Sequence, residues 1–152
     1  YNSELAFANS RSRLRMITLY QIAGSVGGLV VGTGNKVEDF GVGFYTKYGD
    51  GGVDISPIAD LTKTQVWAMG QELGVDQRII DAQPTDGLWD DGRNDQDQLG
   101  GLSYEQLEEA MRLAEASKAG APLEAHEQRL LDTYDKIRKP NLHKMNPIPV
   151  YK

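Results

Sequence analysis

Between Gly28 and Pro57 the chain reads GLVVGTGNKVEDFGVGFYTKYGDGGVDISP, and no other stretch restricts its fold so closely. Leu29-Val30-Val31 reads as a short buried strand that stops at Gly32-Thr33-Gly34-Asn35. Beyond it come Lys36, Glu38, Asp39, Lys47, Asp50 and Asp54, interleaved with Gly41, Gly43, Gly49, Gly51 and Gly52. Glycines let a backbone turn tightly and come close to a ligand. A hydroxyl and a carboxylate just past a strand stand where open α/β sheets bind their ligands. A core segment has no need of this mixture, so the stretch reads as a site.

The flanking sequence supplies the elements. From about Ser3 to Val26, Leu14, Met16, Ile17, Tyr20 and Ala23 recur at helical spacing, which predicts a largely buried amphipathic helix. A helix feeding an apolar strand is half of a βαβ unit, so the chain is expected to be α/β with a parallel sheet flanked by helices. Asn35 to Phe40 opens a short helix or turn, and Tyr45 to Gly52 is a constrained loop. Extended structure returns at Asp54 to Ile58, because Pro57 disfavours the helical region for Ser56. Asp60 or Thr62 caps the next helix, with Leu61, Val66, Trp67, Met69 and Leu73 toward the core and Gly74 as its stop. A shorter helical piece from Asp76 to Ala82 ends before Pro84. Thr85 to Gly100 carries five aspartates (Asp86, Asp90, Asp91, Asp95, Asp97) and reads as a long mobile loop. It lacks the spacing of a calcium-binding loop. Ser103 and Gln106 form a capping box for a helix carrying Leu107, Ala110, Met111 and Ala114. Gly120-Ala121-Pro122 breaks it, a last helix spans about Leu123 to Lys139, and the proline-containing tail is expected to be extended.

Charge and composition narrow the function classes. A chain of 152 residues holds one domain with a core, and a net charge of −6 offers no basic field for nucleic acid or an anionic membrane. No apolar run approaches the roughly 20 residues of a membrane span. With no cysteine there is neither disulfide nor thiolate chemistry, which fits a cytoplasmic protein. The chain starts at Tyr1 in helix-like sequence and is therefore expected to be part of a longer protein. Gly32-x-Gly34 and Gly41-x-Gly43 lack the third glycine of a dinucleotide fingerprint, and neither a Walker loop nor a GxSxG elbow occurs. His126 and His143 have no metal-ligand spacing. Arg11, Arg13 and Arg15, two apart, cannot share a helical face; each is either solvated or a clamp for phosphate or carboxylate. Thr33 stands where a hydroxyl reaches a base or ribose, and Glu38 is a hard oxygen ligand suited to Mg²⁺. A helix cap followed by a first-turn carboxylate explains the same two residues.

Taken together, RSRLRMITLY, GLVVGTGNKVEDFGVGFYTKYGDGGVDISPIADLTKTQV, PTDGLWDDGRNDQDQLG and the terminal His143-Lys144 resemble the bacterial NAD⁺ synthetases from Asn9 onward. The resemblance implies an adenine-nucleotide α-hydrolase-like (Rossmann-like) fold and a homodimer. It further implies an ATP- and Mg²⁺-dependent amidation of nicotinic acid adenine dinucleotide by ammonia, through an adenylylated carboxylate. By the same resemblance Arg13, Lys47, Asp54, His143 and Lys144 bind the dinucleotide, Thr33, Lys63 and Thr85 bind ATP, and Glu38 binds the metal; no residue is assigned a catalytic role. The family's SGGxDS pyrophosphate loop does not occur in these residues. Residues 1–152 are accordingly expected to be the C-terminal part of a single synthetase domain. Two other readings are the synthetase module of a glutamine-dependent enzyme and a non-catalytic nucleotide-binding or dimerisation fragment. The aspartate-rich loop is expected to order over bound ligands, and the first helix is the candidate dimer contact.

Overall fold

The computed structural model describes residues 3–151. Its helices are α1 (Glu4–Val26), a π-helical turn (Lys36–Val42), α2 (Lys63–Glu72), α3 (Gln77–Ile80), α4 (Asp95–Gln98), α5 (Tyr104–Lys118) and α6 (Ala125–Arg138). A 3₁₀ turn (Lys139–Asn141) and α7 (Leu142–Met145) follow. Among the described residues no helix is long and apolar enough to cross a membrane.

The parallel sheet of the expected α/β, Rossmann-like class is absent from the described residues. One isolated parallel bridge, Val31 with Ile55, is all that forms. The reason lies in the segments themselves. Gly32 donates to the Ile55 carbonyl at 2.7 Å, Asp54 and Ile55 donate to the Val30 carbonyl at 2.9 and 3.3 Å, and the pairing ends there. The Val30 N–H is taken by the Asp54 carboxylate at 2.8 Å instead of by a neighbouring strand. Leu29 and Val31 are 65% and 54% exposed, whereas parallel strands persist when both faces are covered.

α1 forms where the periodicity places it. Ser3 accepts from the Ala6 N–H at its start, and Gly27 ends it at φ 67°. It is not the largely buried helix expected: only Ala8 and Ser12 are buried along it, while Leu14, Ile17, Leu19 and Ile22 are all more than half exposed. α2 and α5 begin at the capping boxes Thr62–Gln65 and Ser103–Gln106. Met69 and Leu73, expected on the core side of α2, are exposed, and Trp67 packs against the core.

That core joins α5, α6 and the π-helical turn. It gathers Val37, Val42, Leu99, Tyr104, Leu107, Ala110, Leu131 and Tyr134. Leu99 belongs to the segment read as a mobile loop. Instead that segment contains α4, closed by an Asn94–Asp97 capping box, and Leu99 is 1% exposed. Its neighbour stretch is tied to α1, where Arg11 donates to the Leu88 carbonyl at 2.7 Å and Arg15 to the Gly87 carbonyl at 3.2 Å.

The π-helical turn ends in carbonyls that need partners. The Tyr134 hydroxyl donates to Gly41 O at 2.9 Å, Arg138 donates to Phe40 O and Gly41 O, and Asn141 donates to Val42 O at 3.0 Å. Lys144 completes the set, donating to Gly43 O at 2.8 Å and Tyr45 O at 2.6 Å. These bonds hold the tail helical through Met145, where extended chain was expected. Gly43 sits at φ 67°, and a Cβ there would stand 2.7 Å from Asn141 Cβ. Gly43→Ala is expected to cost roughly 1–2 kcal/mol through left-handed strain and displacement of Asn141. A urea titration reads the loss.

Candidate functional site

Two cavities adjoin beneath the Gly28–Pro57 stretch. One, of about 490 Å³, is lined by Thr33, Glu38, Lys63, Thr85 and Asp95. The other, of about 340 Å³, is lined by Arg13, Lys47, His143 and Lys144. Phe44, Asp50, Asp86 and Leu88 line both. The residues singled out for ATP and metal thus share one cavity, and four of the five singled out for substrate share its neighbour. Asp54 lines neither. Its carboxylate takes the Val30 N–H and, at 3.2 Å, the Tyr20 hydroxyl.

In the larger cavity the Asn35 side chain caps the π-helical turn, accepting from the N–H groups of Val37 and Glu38. This orients Glu38, whose Oε1 accepts from Lys63 Nζ at 2.8 Å and from the Tyr104 hydroxyl at 2.6 Å. Lys63, the first residue of α2, also stands over the Tyr104 ring at 4.8 Å. The same hydroxyl lies 3.0 Å from Asp95 Oδ2, while Asp95 Oδ1 is buried without a hydrogen-bond partner. Burial pushes the Asp95 carboxyl up, the Tyr104 hydrogen bond opposes the shift, and the Glu38 charge adds to it. Burial, together with Glu38 and Asp95, pushes the Tyr104 phenol far above its ordinary value. It therefore stays a proton donor. Thr33 and Thr85 are exposed at the rim.

Asp39, beside Glu38, faces Gly34 so closely that a Cβ on that glycine would collide with its carboxyl group. Burial, followed by the charges of Glu38 and Asp50, pushes Asp39 up to about 6 from 3.8. The folded state therefore holds this proton more tightly than the unfolded chain. The stabilisation this gives is complete below the unfolded value and is lost as pH rises through about 6. Asp39→Asn is expected to gain roughly 1–2 kcal/mol at about pH 8, after allowance for solvent screening, and much less at about pH 5. Urea titrations at both pH values check the sign.

The smaller cavity is held by a chain of contacts from α1 to the tail. Arg13 Nε donates to Lys47 O at 3.2 Å, and Lys47 Nζ donates to His143 O at 2.7 Å. Burial pushes the Lys144 ammonium down, against the attraction of Asp50. Ser12 pins the loop by donating to Asp50 Oδ1 at 2.7 Å and accepting from the Asp50 N–H at 3.0 Å. Thr46 donates to Asn9 at 2.6 Å. Tyr48, at φ 63°, is the non-glycine residue in left-handed backbone here.

Sequence reasoning missed Ser12, Tyr104 and Asp95 as site residues. Ser12 is a small polar residue inside an apolar and arginine-bearing helix, a signal available beforehand. Tyr104 and Asp95 gave none, since one opens a helix and the other sits among several aspartates.

A family model described as NAD synthase matches residues 1–147. The chain belongs to the NAD synthase family. Among its relatives, the NH(3)-dependent NAD(+) synthetase of Alkaliphilus metalliredigens is 51% identical over 102 residues, 67% of this chain and 40% of the relative. That of Methanococcoides burtonii is 42% identical over 144 residues, 90% of this chain and 52% of the relative. The chain thus spans about half the length, or less, of these relatives. Of solved structures, an NMN synthetase from Francisella tularensis matches with a TM-score of 0.80 and 30% identity, covering 99% of this chain and 58% of that one. An NH3-dependent NAD synthetase from Campylobacter jejuni, in complex with nitrate, matches with a TM-score of 0.73 over 100% of this chain and 58% of that one. At 22% identity this second likeness concerns the fold alone.

Proposed function

We propose that the chain forms the C-terminal part of a synthetase domain that amidates nicotinic acid adenine dinucleotide to NAD⁺, with ATP and ammonia. The observation that carries this reading is the pair of adjoining cavities, one holding Thr33, Glu38, Lys63 and Thr85, the other Arg13, Lys47, His143 and Lys144. A carboxylate is a poor electrophile because it would have to expel an oxide, so it first attacks the α-phosphorus of ATP, releasing pyrophosphate, and ammonia then displaces AMP from the acyl adenylate. Bringing two anions together requires local cations in a chain of net charge −6. Lys63 is directed at the phosphates of ATP, and Arg13 and Lys47 at the dinucleotide. His143 and Lys144 close the far wall.

Mg²⁺ fits the donor set in a limited way. Among the described residues no cluster of three or more His, Asp or Glu side chains is placed to hold a metal. Magnesium is commonly held through one or two carboxylates with phosphate oxygens completing its shell. Glu38 is the residue that would hold it, since Lys63 and Tyr104 occupy only one of its oxygens. When bound, the ion neutralises charge on the transferring phosphoryl groups. Lys63 orients the Glu38 carboxylate and supplies a positive charge whether or not the ion is present.

A homodimer belongs to the same proposal. Along α1, Leu14 (64% exposed), Ile17 (56%), Leu19 (54%) and Ile22 (51%) present apolar surface of the kind that associates. Light scattering after gel filtration tests it, and a monomeric mass would remove it.

One observation favours a second reading. Of the two solved structures, the NMN synthetase has the higher TM-score, 0.80 against 0.73, and its substrate class makes a mononucleotide acid the second candidate. An assay of the full chain with ATP, Mg²⁺ and ammonium, offering the mononucleotide and dinucleotide acids separately, decides between them. The same assay with glutamine tests the glutamine-dependent alternative. Amidation of the dinucleotide with release of AMP is expected of a complete domain that carries the SGGxDS loop, and no turnover is expected of residues 1–152 alone, which lack it. No AMP from the complete domain with any acid would leave the non-catalytic fragment standing.

A further inference from the structure

Four separate elements meet at the Tyr104 side chain. Glu38 comes from the π-helical turn, Lys63 from α2, Asp95 from α4 and Tyr104 from α5. The Tyr104 ring is 6% exposed and meets Trp67 edge-on, with ring centroids 5.8 Å apart. Its hydroxyl is therefore fixed in space by packing before any hydrogen bond is counted. Asp95 is also 6% exposed, yet Asp95 Oδ1 has no partner. A buried carboxyl group left half-satisfied costs stability and needs a reason other than packing.

We propose that Tyr104 and Asp95 are positioning residues for Glu38: Asp95 steadies the Tyr104 hydroxyl, and that hydroxyl with Lys63 pins one Glu38 oxygen so that the other is presented to the nucleotide cavity. A carboxylate on a flexible stem turns freely unless two donors converge on one of its oxygens. Here both converge on Oε1, from Lys63 at 2.8 Å and Tyr104 at 2.6 Å. Asp95 acts through Tyr104: the hydroxyl's one proton lies between Glu38 Oε1, the nearer acceptor at 2.6 Å, and Asp95 Oδ2 at 3.0 Å, so Asp95 limits how the hydroxyl can turn. It also begins α4, so the seating of the 84–100 segment is linked to the orientation of Glu38. Outer partners of this kind commonly govern metal affinity by 10–100-fold, a magnitude roughly comparable to that expected here.

The proposal rests on the ATP and metal reading of Glu38, and the experiment separates the two. Mn²⁺ binding in the presence of ATP is measured on the full chain by electron paramagnetic resonance, for wild type, Glu38→Gln, Tyr104→Phe, Asp95→Ala and the Tyr104→Phe/Asp95→Ala pair. Tyr104→Phe keeps the packed ring and removes only the hydroxyl. It is expected to weaken Mn²⁺ about 10-fold with little change in thermal unfolding. Asp95→Ala is expected to weaken it in the same direction, and the pair no more than Tyr104→Phe alone, because the two act in series. Wild-type Mn²⁺ affinity in Tyr104→Phe, or full additivity in the pair, overturns the positioning role while leaving Glu38 as ligand. Unchanged affinity in Glu38→Gln overturns the metal reading itself. Should Tyr104→Phe fail to fold, Asp95→Ala with wild-type affinity is sufficient to overturn the role, and a weakened Asp95→Ala sustains it.

Discussion

Lys63→Met is expected to lower stability by about 3 kcal/mol at neutral pH, more than an exposed ion pair would give. The side chains of Lys63 and Glu38 are 17% and 15% exposed, and their charged atoms lie 2.8 Å apart. Removing the ammonium leaves Glu38 charged, mostly buried and supported by the Tyr104 hydroxyl alone. The cation over the Tyr104 ring, at 4.8 Å, is lost as well, for about 0.5–1 kcal/mol. Glu38→Gln in the same background removes the uncompensated charge. The double variant should therefore recover about 1–2 kcal/mol relative to the sum of the singles. Urea titrations of the four proteins supply the cycle. A Lys63→Met protein as stable as wild type would mean that the pair breaks even and that Lys63 is kept for its ligand alone.

What was legible in the sequence was local. Ser103 with Gln106 identifies one helix start, and of Asp60 and Thr62, the two candidates for the other, Thr62 is the cap, because a cap needs only its own first turn. α1 ends where Gly27 allows left-handed backbone. Glu38 and Thr33 stood out because they follow an apolar run, and they do share a cavity. The failures were all non-local. A parallel sheet depends on partners on both edges, and Leu29-Val30-Val31 finds only the one bridge to Ile55. The helical period of α1 records which residues are apolar, not what covers them, so Leu14 and Ile17 read as buried and are exposed. The tail was read as extended because its carbonyl-bound side chains, Asn141 and Lys144, find their partners nearly a hundred residues away. Tyr104 meets Glu38 across 66 positions, and Asp95 reaches the site only because Leu99 is drawn into the core.

The core and the site are one structure, and Leu107→Ala shows how far they are coupled. Leu107 is 0% exposed and lies one turn beyond Tyr104 on α5. It shares its cluster with Val37, the residue before Glu38. Truncation removes three carbons and leaves a cavity that rigid neighbours only partly fill, so the loss is expected to be about 3–4 kcal/mol. Leu113, on the same helix and 2% exposed, lies outside that cluster and provides the comparison. Leu113→Ala should cost stability on a similar scale of about 2–4 kcal/mol while leaving nucleotide binding close to wild type. Leu107→Ala should weaken nucleotide binding as well, because the space it opens frees both Tyr104 and Val37 to shift and Glu38 is hydrogen-bonded to one and peptide-bonded to the other. Denaturant titration gives the stabilities, and calorimetric titration of ATP on the folded variants gives the affinities. Equal ATP affinity in the two variants would mean that the π-helical turn holds Glu38 without help from α5.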